Sequence, residues 1–98
     1  MGAVILFEFP ADRPEARSWI LDHAAMLAIE GKAELKFVGT EPARSGRAGT
    51  ETIALEFAGV DCAESTIAAW QRDSGFPGVV EMRLLEIEPI TLAGAIFP

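Results

Sequence analysis

Tyrosine is absent, and histidine and cysteine occur once each. The first absence removes phenol chemistry. The lone Cys62 excludes an intramolecular disulfide and a cysteine-based metal cluster, and suits a reducing, cytoplasmic setting. One histidine among scattered carboxylates falls short of a zinc ligand set, and no calcium-loop pattern occurs, so no metal is expected. Bases are scarce: eight Lys and Arg stand against fifteen Asp and Glu, a net charge of −7. Nucleic-acid affinity rests on cations meeting phosphates, so a nucleic-acid partner is not expected. Long hydrophobic runs are missing as well. The apolar start "MGAVILFEFP" is interrupted by Glu8, lacks a basic lead-in, and is too short for a signal peptide or a membrane span. Leu6 also breaks the myristoylation pattern. Neither repeats nor low-complexity segments occur.

What is present is apolar. The chain of 98 residues is the length of one domain, 1–98, and half of its residues are hydrophobic. A small sphere cannot hide that much, so part of the apolar surface is expected to go to a second copy of the chain.

Residues 3–9, "AVILFEF", read as a buried strand stopped by Pro10. "ADRPEARSW" opens a helix, with Asp12 and Glu15 spaced as a capping box and Pro14 in the first turn. The helix is expected to reach about Glu30, with Gly31 as a left-handed stop. At about 100° per residue, Ala16, Trp19, Ile20, His23, Ala24, Met26 and Leu27 fall on one arc. "AELKFVG" (33–39) and "TETIALEFA" (50–58) alternate as strands, the second with Ile53, Leu55 and Phe57 on one face and Glu51 and Glu56 off it. "TEPARSGRAG" between them reads as a hairpin loop. "DCAE" is a second capping box. It opens a helix to about Ser74, stopped at Gly75, whose apolar arc is Ala63, Ile67 and Trp70. "GVVEMRLLEIEPI" is a fourth strand whose alternation slips near Leu84 and Leu85, as at a bulge or a change of burial. "TLAGAIFP" is an uncharged apolar tail.

The order β-α-β-β-α-β is the split βαβ of the ferredoxin-like α+β fold. Right-handed crossovers put both helices on one face of a four-stranded antiparallel sheet, in the order 4-1-3-2. Phe7, Phe9, Leu35, Phe37, Ile53, Leu55 and Phe57 are expected to meet the helices. Leu6, Glu8, Lys36, Val38, Glu56, Glu81 and Arg83 are expected on the open face, with Glu8, Lys36, Glu56 and Arg83 pairing across strands. That face, helped by the tail 89–98, is the expected homodimer interface.

"IALEFAGVDCAESTIAAWQRDSGFPGVVEMR" carries a more specific signal: a strand ending Glu-Phe, a helix ending in Trp70, then Ser74, Phe76 and Pro77, then a strand with Arg83. In this the chain resembles the dimeric α/β-barrel superfamily, closest to its small bacterial domains. The superfamily includes muconolactone isomerase and the antibiotic-biosynthesis monooxygenases. The spacing is slightly longer than the usual helix-end pattern, and Phe76 stands where a tyrosine is common. The resemblance implies homodimerisation, no redox cofactor, and, in enzymatic members, a pocket between helices and sheet. It implies no particular reaction.

His23 is the candidate for proton transfer, since an imidazole titrates near neutrality. Trp19, Trp70, Ser74 and Phe76 are its candidate pocket partners for a small, partly apolar ligand. The competing reading makes His23 a core residue bonded to a backbone carbonyl or a water, Ser74 a helix-end residue, and the tryptophans core. Asp22 cannot orient His23, because adjacent helical residues diverge. Arg44 and Arg47 either hold an anion or are simply solvated. Two classes stay open: a ligand-binding protein or cofactor-free enzyme of oxygenase or isomerase type, and a non-catalytic dimeric module.

Overall fold

The structure is a computed structural model that describes residues 2–88. The elements are β1 (Ala3–Pro10), α1 (Pro14–Ile29), β2 (Ala33–Glu41), β3 (Thr50–Phe57), α2 (Val60–Arg72) and β4 (Glu81–Glu86). All strand pairs are antiparallel, in the order β2-β3-β1-β4. This is the ferredoxin-like α+β arrangement, read from the opposite edge as 4-1-3-2. The tail expected to help assembly, 89–98, lies outside the described residues.

β1 is the central strand and alternates cleanly. Ala3, Ile5, Phe7 and Phe9 are buried, and the residues between them are half-buried. The buried set packs with Ile53, Leu55 and Phe57 of β3, with Ala16, Ile20, Ala24 and Leu27 of α1, and with Ala63 and Trp70 of α2. Both helices therefore cover the same sheet face. Trp70 sets their spacing: its ring lies 5.2 Å from Phe7 below it and 5.3 Å from Trp19 of α1.

Several local expectations need correction. Neither capping box forms. The cap of α1 is Arg13, without a side-chain bond, because Pro14 is the first helical residue and Asp12 stands outside the helix. The cap of α2 is the extended Gly59, whose carbonyl accepts from Ala63 N–H at 3.2 Å. That places Asp61 inside the first turn, where a carboxylate favours the helix dipole without capping. α2 also ends early, at Arg72. Asp73 is extended and its Oδ1 accepts from Gly75 N–H at 2.8 Å. α1 ends as expected, with Gly31 at φ 72°.

The strand pattern shifts in two places. Glu51 has the parity of Ile53 and faces the helices, opposite Phe9; it is 5% exposed. Arg17 of α1 reaches it, Nη1 donating to Oε1 at 3.1 Å. The bulge lies in β2, between Leu35 and Phe37, and β4 keeps its register from Glu81 to Glu86. In β4 the slipped alternation is a change of burial, with Leu84 half-buried and Leu85 exposed. The extra residue in β2 reverses the faces beyond it. Phe37 pairs with Ala54 on the open face, and Val38 pairs with Ile53 on the helix face. Phe37 lies along Gly39, two residues on. Of the two β2 residues expected to meet the helices, Leu35 keeps that face, 47% exposed because β2 is an edge strand. Met26, placed on the buried arc of α1, is 63% exposed.

Candidate functional site

α1 and α2 run antiparallel over the sheet, so the middle of α1 meets the end of α2 and the turn after it. Trp19 and His23 stand one helical turn apart, and this spacing stacks their rings. The centroids are 3.6 Å apart and the planes 15° from parallel. Trp70 meets Trp19 edge to face at 5.3 Å and His23 at 5.9 Å. Phe76 meets Trp19 at 5.1 Å and 90°. The Asp73 turn permits this approach. A side chain at Gly75 would bring its Cβ to 3.1 Å from Trp19 Nε1 and 3.2 Å from Asp73 Oδ1, a fit that favours glycine.

Four of the five candidates, Trp19, His23, Trp70 and Phe76, thus form one aromatic cluster. Ser74 belongs to the same turn but is exposed. Its two neighbours do the positioning, Asp73 by holding the turn and Gly75 by clearing space for Trp19. Gly75 read as a helix stop, but the pattern Asp-x-Gly marks a turn and not what the turn packs against.

The electrostatics of His23 follow from one contact. Its Nδ1 lies 2.8 Å from the Trp19 carbonyl oxygen. A carbonyl only accepts, so Nδ1 donates and carries the proton in the neutral ring. Nδ1 makes the ring's hydrogen bond among the described residues, and no buried side-chain nitrogen or oxygen there lacks a partner. Among the described residues Nε2 therefore has no partner and reaches accessible surface, where water or a ligand can donate to it. The half-buried ring combines a fixed tautomer with an accessible acceptor.

A cleft of about 410 Å³ opens beside the cluster and shares Trp70 as a wall. Leu27, Lys32, Cys62, Ser65, Thr66 and Ala69 complete its lining. Leu27 sits one turn beyond His23, so the cleft continues the groove between the helices. Thr66 donates to the Cys62 carbonyl at 3.0 Å, so its hydroxyl is already engaged.

The other candidates lie apart from the cluster. Arg44 and Arg47 flank a tight turn, with paired backbone bonds of 3.1 and 2.7 Å and positive φ at Ser45 and Gly46. They border a depression of about 400 Å³ that Glu41 also lines. Glu8 is paired on the open sheet face, accepting from Arg83 Nη2 at 2.7 Å and Nε at 2.8 Å. Lys36 stands between Glu56 at 3.6 Å and Glu34 at 3.7 Å on the same face. Among the described residues, no helix is long and apolar enough to cross a membrane.

No protein-family model matches the chain, and no curated protein matches it significantly.

Proposed function

We propose that this chain is a cytoplasmic homodimeric protein of the dimeric α/β-barrel type that binds, and in an isomerase- or cofactor-free oxygenase-like role transforms, a small, partly apolar molecule between its helices and sheet. The observation that carries this reading is the state of His23: stacked on Trp19 within an aromatic cluster and anchored through Nδ1, which leaves Nε2 as the acceptor of the neutral ring. Trp19, Trp70 and Phe76 supply the apolar wall, the cleft beside Trp70 supplies room, and Ser74 is the exposed hydroxyl at the rim.

His23→Leu tests this. The Trp19 carbonyl also accepts the helical N–H of residue 23, so removing the imidazole strands no buried group. The expected cost in urea unfolding is therefore at most about 1 kcal/mol. Thermal-shift hits from a small-molecule panel should disappear in the variant. Hits that survive the substitution unchanged would remove His23 from the site.

The open sheet face favours the second reading, a module whose role is assembly. There Val4, Leu6, Ala54, Phe37 and Leu85 lie beside the Glu8–Arg83 pair and Lys36, which serves both Glu34 and Glu56. Phe37 and Leu85 are about half exposed, at 51% and 49%. Contact with a copy of itself would bury those apolar side chains. The two readings are compatible: a dimer closes the sheet face while the helix side holds the ligand.

A further inference from the structure

Resting on the ligand-binding reading of His23, we infer that the site selects its ligand through a hydrogen-bond donor, an N–H or O–H group, which bonds to Nε2 of the neutral His23 ring. The direction of the bond follows from the backbone. The Trp19 carbonyl, 2.8 Å from Nδ1, accepts only, so it commits the ring proton to Nδ1. Nε2 is then an acceptor, and its ligand partner must donate.

The surroundings set the rest of the preference. The rings against the imidazole are Trp19 and Trp70, and Phe76 packs against Trp19. None of the ion pairs among the described residues includes a group of this cluster. A carboxylate or phosphate would meet a lone pair where it needs a donor. A planar molecule with one donor satisfies both the acceptor and the aromatic surface.

The test uses the full chain and its single histidine, whose signals need no further assignment. Long-range ¹H–¹⁵N correlation spectra are recorded as the pH is raised, up to the plateau where the imidazole nitrogen shifts no longer change. They should show a protonated Nδ1 and a bare Nε2. Indole, 1-methylindole and benzoate are then titrated. Indole should move the Nε2 resonance, 1-methylindole should bind about three- to tenfold more weakly, and benzoate should leave Nε2 unmoved. A proton found on Nε2 would overturn the inference while leaving the ligand reading standing. So would equal binding of indole and 1-methylindole, or a preference for benzoate. The expected tautomer with no response at His23 to any probe would overturn the ligand reading, and this inference with it.

Discussion

At the scale of single residues, Arg17 and Glu51 show how one contact fixes a helix on a sheet. Glu51 sits on the apolar face, where its carboxylate side chain is 7% exposed, and Arg17 Nη1 is the group that meets it. Arg17 itself is half exposed, so the pair draws on both solvent and protein. Removing the arginine leaves a nearly sealed carboxylate without its donor. Arg17→Met should therefore cost about 1–3 kcal/mol in urea unfolding with an unchanged m-value. The double variant Arg17→Met, Glu51→Met should recover most of that loss, because a buried ion pair is replaced well by packed apolar groups. A single variant as stable as the parent would show that water already satisfies Glu51. The exposed pairs carry no such weight. Glu8 with Arg83 and Lys36 with Glu56 lie on a wetted face, where each contributes at most about 1 kcal/mol.

At the scale of elements, the hairpin between β2 and β3 turns through Ser45 and Gly46, both at positive φ, 39° and 80°. Turns of this kind match the right-handed twist of the strands. Gly46→Ala places a Cβ in the left-handed region and should cost about 1 kcal/mol, measured by the same unfolding transition. No loss would mean that the turn relaxes to another type. The elements themselves were legible in the sequence, because Phe7, Phe9, Ile53 and Leu55 alternate and Pro14 and Gly31 punctuate the first helix. Glu51 was legible too, since it shares the parity of Ile53; its charge argued against the face that its position required. The β2 bulge was not legible. "AELKFVG" alternates regularly, and nothing local distinguishes Lys36 as an extra residue. It is the pairing with β3, Leu35 to Leu55 and then Phe37 to Ala54, that turns Lys36 and Phe37 to one side. The capping boxes failed for a similar reason. Asp12 and Asp61 have the right spacing, but Pro14 and Gly59 set where each helix begins. Around His23, helical spacing made the stack on Trp19 readable. The approach of Phe76 depends on the Asp73 turn and the bare Gly75, a tertiary fit with no sequence period.

At the scale of the whole molecule, the sheet has one covered face and one open face. The open face gathers the half-exposed Phe37 and Leu85 around Val4 and Leu6. Self-association through it should give a particle of twice the 10.5 kDa chain mass by light scattering at micromolar concentration. Leu6→Lys, at the centre of that face, should return the particle to monomer without unfolding it. A parent that is already monomeric would leave the open face to another partner. The helix side carries the account's central claim, that the aromatic cluster at His23 is a ligand site. The most direct measurement is a small-molecule screen on the full chain, followed at the His23 imidazole and at the indole N–H groups of Trp19 and Trp70. Binders should shift His23 together with Trp19, and the Trp19 response should vanish in His23→Leu. Binders that perturb only residues of the open sheet face, or a broad panel that leaves all three side chains unmoved, would contradict it.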